Sequence, residues 1–385
     1  MRILMTTWEY PPDKVGGVAS HVADLSKALV KMGHDIHILI PGTEKKEELY
    51  DKGITMHRME PIHNVTDMTT WSTAIAHRME KEAIKLHKQQ KFDIVHTHDW
   101  MMVPAGTGIK KLLNVPLVFT IHSTEHGRSG VHDPYTKMIN DLEWYGTYEA
   151  NNVITVGKDF CREVQSLFRV PDDKIHYVPN GVELEKFDSP KLNAKREDFV
   201  GDWEKMVLFC GRMTYVKGVH NLIEAMPSIV REHPDTKFVL AGKGPDLENY
   251  RGRVKSMGIA EKTLFPGYVD DDTLVALYRM ADLTVAPSLY EPFGIVALEA
   301  AAARRPTIGS YIGGLKETIV HEHTGLHTWA GNSGSIADQV NRMLWDGSWR
   351  NWLGENGRRY VEDNFMWNKI AYWTTGIYGK TLGIW

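Results

Sequence analysis

Short apolar runs alternate with helix-length amphipathic segments along almost the whole chain. RILMTT (2–7) is continuous enough to predict a strand, Val22, Leu25, Leu29 and Met32 share one helical face, and Ile36, Ile38 and Ile40 alternate as the next strand. FDIVH (92–96), PLVFTIH (116–122) and NVITVG (152–157) extend the series. After KIHYVPNGVELEKFD (174–188) comes a polar, charged stretch to about Asp202, and the rhythm then restarts. MVLFCG (206–211), KFVLAG (237–242), TLFPG (263–267), LTVAPS (283–288) and PTIGS (306–310) carry it on, each followed by helical sequence. Strands separated by helices predict parallel α/β sheets. The break near 190–203 predicts two doubly wound domains, 1–195 and 196–365, whose shared ligand would lie in a cleft at the carboxyl ends of the strands. In the tail, Trp367, Ile370, Trp373, Ile377 and Tyr378 fall at helical spacings.

At 385 residues, with 42 % hydrophobic and 24 % charged positions, the chain reads as globular rather than disordered. A formal net charge of −4 gives no global support for nucleic-acid binding. Cys161 and Cys210 form neither a disulfide framework nor a CxxC motif, and MRILMTTWEYPP lacks the apolar core of a signal peptide, so a cytoplasmic setting is expected. No window approaches the roughly 18 consecutive apolar residues of a membrane span. HRMEKEAIKLHKQQK (77–91) is basic and amphipathic, but Glu80 and Glu82 interrupt it; a solvated face is the first reading and peripheral membrane contact the lesser one.

The run SLYEPFGIVALEAAA (288–302) places Glu291 and Glu299 eight positions apart around a helix start marked by Pro292, Phe293 and Gly294. Were the whole interval helical, the carboxylates would stand roughly 12 Å apart along the axis and about 80° apart around it. That is too far for a cooperating acid and base. It suits two carboxylates gripping the ends of one elongated ligand, with the free N–H groups of the helix start facing an anion between them. Two exposed acids on an amphipathic helix is the competing reading.

FCGRMTYVKG places Arg212 and Lys217 beyond a strand, beside glycines, without matching Walker A, and no GxGxxG follows a strand. A guanidinium and an ammonium on one loop suit a diphosphate, although two solvated cations would give the same sequence. PPDKVGGVASH sets Gly16 and Gly17 between the first strand and helix, where backbone can approach a ligand or simply turn. His122 closes the strand PLVFTIH, as a site residue or as a structural histidine. HTHDW invites a metal reading for His96, His98 and Asp99, but no third partner stands at a convincing spacing. Asp270, Asp271 and Asp272 read as helix-capping acids rather than a metal motif.

Taken together, these segments resemble the retaining GT-B glycosyltransferases of family 4 (glycosyl transferases group 1) and their glycogen synthase and sucrose-phosphate synthase relatives. The signature is E-x7-E, here in the form YEPFG. The resemblance spans nearly the whole chain and implies two Rossmann-like domains facing a central cleft, with the terminal helix (366–385) crossing back to the first. It implies that Glu291 meets the donor sugar and Glu299 the ribose, and that the backbone at Phe293, Gly294 and Ile295 faces sugar and phosphates. Arg212 and Lys217 become diphosphate ligands, Tyr268 and Val269 nucleobase contacts, and Gly16 and Gly17, with Lys14, neighbours of the diphosphate sugar. His122 is assigned to transition-state support and Asp99 to the acceptor side.

The implied activity moves a hexose, with glucose preferred, from a UDP-, ADP- or GDP-sugar to a hydroxyl of a saccharide or lipid acceptor. No metal and no further cofactor is implied. A mannosyl or other hexosyl transferase is the immediate alternative. A sugar-nucleotide epimerase and a non-catalytic sugar-binding protein are the rivals from other classes.

Overall fold

The structure, a computed structural model, describes residues 1–13, 16–42, 47–65, 67–189 and 194–384. It divides into two units, Met1–Gly181 with Trp367–Trp385, and Val182–Met366. The division therefore follows Gly181 rather than falling at 190–203. The polar stretch that drew the expected boundary belongs to the second unit, where Arg196 is tied to Asp282 and to the backbone of Glu204.

The first unit is an eight-stranded sheet in the order Glu47–Asp51, Ile54–Met59, Asp35–Pro41, Arg2–Thr6, Ile94–His98, Leu117–Ile121, Asn152–Thr155, Ile175–Tyr177. All neighbours are parallel except the hairpin at the first edge. The strand expected at 92–96 sits two residues later, so that His96 and His98 both lie within it. The strand Ile54–Met59 escapes the periodicity because His57 and Arg58 interrupt its apolar alternation, yet both side chains are buried. Lys52 and Gly53, at φ 50° and 89°, make the turn in the hairpin-favoured conformation.

Val22, Leu25 and Leu29 of the helix Gly17–Lys31 pack with Ile3, Met5, Ile36, Ile38, Ile40 and Ile94 in one core. Met32, expected on that stripe, is the C-cap residue and 40 % exposed. The helix Trp367–Leu382 joins the same core through Trp367, Ile370, Ala371, Ile377 and Tyr378. Trp373 is off this stripe and exposed. Polar ties fix the helix further: His34 meets Thr375, and Asn152 donates to Thr381 at 2.8 Å. At its centre, the Tyr378 hydroxyl stands 2.6 Å from His96 Nδ1, whose other nitrogen stands 2.7 Å from Thr120.

The second unit is a six-stranded parallel sheet in the order Thr263–Gly267, Thr236–Ala241, Lys205–Cys210, Leu283–Ala286, Thr307–Ser310, Gly325–Thr328. Its strands are nearly uninterrupted apolar runs because helices cover both faces. Gly325–Thr328 was not expected, since GLHT is too short and mixed to signal a strand on its own. Asp270 caps the helix Asp271–Met280 by accepting from the N–H of Thr273 at 2.8 Å, the role read from the aspartate run.

Replacing Tyr378 with Phe leaves a fully buried His96 nitrogen without its partner. We expect a loss of about 1–3 kcal/mol in the unfolding of the first unit, measured by urea titration.

Candidate active site

Strand order in the second unit reverses between Lys205–Cys210 and Leu283–Ala286, the two strands from which the chain proceeds in opposite directions across the sheet. In open α/β sheets the loops following such a pair form the ligand crevice. The first loop carries Arg212, which is exposed, and Lys217, which closes a short 3-10 turn at Tyr215–Lys217. The second carries Ser288 and Glu291. Lys217 Nζ donates to Glu291 Oε2 at 2.7 Å, and Ser288 Oγ donates to the same oxygen at 3.1 Å.

Backbone contacts hold the loops together. The N–H of Leu289 donates to the carbonyl of Val216 at 2.7 Å, and the N–H of Gly314 to the carbonyl of Glu291 at 2.9 Å. Gly218, at φ 65°, follows Lys217, and a Cβ there would stand 1.9 Å from the Pro287 carbonyl oxygen. At Gly313, φ 42°, a Cβ would stand 2.1 Å from the Glu291 carbonyl oxygen. Gly313 and Gly314 thus let the Glu291–Phe293 backbone come close.

Gly294 takes φ 96° and starts the helix Ile295–Ala302, so Glu291 lies outside the helix and Glu299 within it. The wholly helical spacing considered from sequence does not apply. Phe293 is buried, its ring packed against that of Phe365. Glu299 Oε2 accepts from the Tyr278 hydroxyl at 2.8 Å. Burial holds the Tyr278 hydroxyl and the neighbouring Cys210 thiol protonated, each pushed well above its usual value. Tyr268 is exposed, with Lys243 Nζ 5.4 Å from its ring centre, and Val269 follows it half-buried.

In the first unit the order reverses between Arg2–Thr6 and Ile94–His98. Beyond the first of these strands, Glu9 accepts from the N–H groups of Gly16 at 2.8 Å and Ala19 at 3.2 Å. A carboxylate of this chain therefore takes up N–H groups at the start of the helix, one of them from Gly16, which the resemblance sets beside the diphosphate sugar. Gly16 is extended, so its conformation does not itself demand glycine. Lys14 lies outside the described residues.

Beyond the second strand, Asp99 is buried and holds φ 67°, ψ 159°, a region otherwise reserved for glycine and costing about 1–3 kcal/mol. Its carboxylate accepts from the N–H of Trp100 at 2.7 Å. Burial raises its pKa, and the charge of Arg128 works against that rise. Arg128 is itself held by Glu125 at 2.8 Å and Glu143 at 2.9 Å. His122 is half-buried beside His98, Nε2 to Nδ1 3.4 Å.

A family model for glycosyl transferases group 1 matches residues 192–360, and one for glycosyltransferase family 4 matches residues 15–186. The chain is 40 % identical over 384 residues to an uncharacterized glycosyltransferase of Methanocaldococcus jannaschii, with 98 % of each chain covered. The chain belongs to glycosyltransferase family 4.

This transferase is also similar to a glycogen synthase of Mycobacterium tuberculosis, 33 % identical over 396 residues with 98 % of this chain and 94 % of the relative covered. Among solved structures, sucrose-phosphate synthase from Thermosynechococcus elongatus superposes with a TM-score of 0.86 at 25 % identity, 99 % of each chain covered. The catalytic domain of starch synthase IV from Arabidopsis thaliana, bound to ADP and acarbose, does so at 0.82 and 18 %, again with 99 % of each covered. The two Rossmann-like units and the returning terminal helix are those of the GT-B fold.

Sequence reasoning missed Tyr278, Cys210, Ser288, Glu9 and His21. Only His21 left a trace, as a polar residue one position from the apolar stripe of its helix. The others depend on which loops the sheet order brings together.

A Gly218→Ala substitution forces either Pro287 or the Lys217 turn to move. We expect a loss of more than about 1 kcal/mol, seen as a lower melting temperature of the second unit.

Proposed function

We propose that this transferase moves a hexosyl group, glucosyl by preference, from a nucleoside diphosphate sugar to a hydroxyl of a saccharide acceptor with retention of configuration. The observation that carries this reading is the Lys217–Glu291 contact at the strand-order reversal of the second unit, with Arg212 on the same loop. A lysine already within hydrogen-bond reach of a carboxylate offers an anion and a neighbouring polyol a cation and an acceptor a few ångströms apart. In this assignment Glu291 accepts from sugar hydroxyls, Lys217 and Arg212 neutralise the diphosphate, and Glu299 accepts from the ribose.

The chemistry then follows from charge. The bond between the anomeric carbon and the diphosphate breaks, and negative charge grows on the departing oxygen where the two cations wait. The acceptor oxygen attacks the same face, and its proton passes to the departing phosphate oxygen. No side chain acts as nucleophile, and charge neutralisation is assigned to the cations rather than to a metal. On the first unit, His122 and Asp99 are the side chains we assign to the transferred sugar and to the acceptor. Glucose is favoured because the similar proteins include a glycogen synthase and a sucrose-phosphate synthase, whose products contain glucose.

Lys217→Ala and Glu291→Ala should each lower transfer by about 10²-fold or more. Their melting temperatures should stay near that of the unmodified protein, because a partly exposed ion pair contributes only about 0–1 kcal/mol. Near-normal turnover by either variant contradicts the assignment. The donor is identified by thermal shift with UDP-, ADP- and GDP-sugars, since a ligand of the folded state stabilises in proportion to its affinity. Tyr278→Phe should raise the KM for the nucleotide sugar with a smaller effect on kcat, because Glu299 loses the hydroxyl that orients it. A product of inverted anomeric configuration would overturn the proposed mechanism.

A further inference from the structure

Three histidines from three elements converge at the carboxyl end of the first unit's sheet. His21 comes from the helix Gly17–Lys31, His98 ends the strand Ile94–His98, and His122 follows the strand Leu117–Ile121. One nitrogen of each lies within 4.8 Å of those of the other two. The ring centres are 4.7 Å apart for His21 and His122, 5.4 Å for His21 and His98, and 5.7 Å for His98 and His122. We propose that His21, His98 and His122 form a binding site for a divalent transition-metal ion of the zinc class.

The protonation of His21 is set by its neighbour. Asn180 Oδ1 can only accept, and it stands 2.7 Å from His21 Nδ1, so the imidazole proton sits there. In a neutral ring Nε2 then carries a lone pair, and it is buried without a hydrogen-bond partner. His98 Nε2 is likewise buried and unpartnered. Neutral imidazoles are the form that binds metal, and Asn180 supplies the outer hydrogen bond that orients such a ligand.

His96 touches this group, its ring centre 4.1 Å from that of His98, but both its nitrogens are spent on Tyr378 and Thr120. The set is therefore three nitrogens and no carboxylate, which suits zinc, cobalt, nickel or copper and not magnesium or calcium. Three nitrogens bound tetrahedrally to zinc stand about 3.4 Å apart. The most separated pair would need to close by no more than about 1.4 Å, within the reach of side-chain rotation. His122 is the least buried of the three, and a tetrahedral ion held by them would take a fourth, solvent-derived ligand.

Metal held here would withdraw His122 from the sugar, making zinc an inhibitor and not a cofactor. That consequence, unlike the site itself, rests on the function proposed above. The site is tested on the whole metal-free protein titrated with cobalt, followed by its visible d–d absorption and by competition with zinc. We expect one equivalent in four-coordinate geometry. His21→Ala and His98→Ala should abolish the band, and Asn180→Ala should weaken binding about tenfold or more. Melting curves without metal establish that each variant is folded. Zinc-edge X-ray absorption of the unmodified protein gives a second measure, with three imidazole nitrogens expected. Absence of the cobalt band, its persistence in both histidine variants, or fewer than three imidazoles overturns the site. In a transfer assay, zinc should inhibit and a chelator restore activity; full activity with one equivalent bound overturns the inhibitory consequence while leaving the site standing.

Discussion

An ammonium 2.7 Å from a carboxylate, joining two loops at the point where strand order reverses, is the contact on which the function proposed for the second unit depends. Its energy is small. Lys217 is partly exposed, and a pair in that setting stabilises the fold by about 0–1 kcal/mol. The scaffold that presents the pair is much costlier to disturb: backbone hydrogen bonds tie Val216 to Leu289 and Glu291 to Gly314, and glycines at positions 218 and 313 tolerate approaches no side chain would allow. Two charges are thus held by main chain and not by each other. They remain available to a ligand with little loss of stability.

The first unit uses the equivalent position differently. Its strand ends carry buried histidines and carboxylates, each of which needs a partner once removed from water. His96 finds two, Glu9 takes up backbone N–H groups, and Asp99 accepts from Trp100 in a strained backbone conformation. Strain of this kind persists only where the surroundings over-determine it, and here the neighbours are Arg128, Glu125 and Glu143 in an ionic cluster. Against this background the unpartnered nitrogens of His21 and His98 stand out as capacity the protein itself leaves unused.

The terminal helix links these themes within the first unit. It enters the core by its apolar stripe, but its hydroxyls also complete polar groups on the sheet: Tyr378 for His96, and Thr381 for Asn152. Trp367 fills the space left by Gly181, where a Cβ would stand 2.6 Å from its ring. The unit therefore depends on a segment nearly two hundred residues away in sequence from its last strand.

What the sequence determined by itself is local. Apolar periodicity placed most strands and helices, Asp270 announced its cap, and the runs holding Arg212, Lys217, Glu291 and Glu299 marked the segments to which we assign the donor. A continuous apolar run or a capping acid acts within a few residues, so its physics is written in neighbouring letters. Only the tertiary structure decided that Lys217 meets Glu291, that Tyr278 meets Glu299, that Glu9 takes the N–H groups of Gly16 and Ala19, and that His21 joins His98 and His122. Most of those pairings join residues far apart along the chain, up to 101 positions for His21 and His122, whereas Glu9 reaches Gly16 and Ala19 across only 7 and 10. They follow from strand order and from close backbone approach, which arise from the packing of whole sheets and leave no periodic trace.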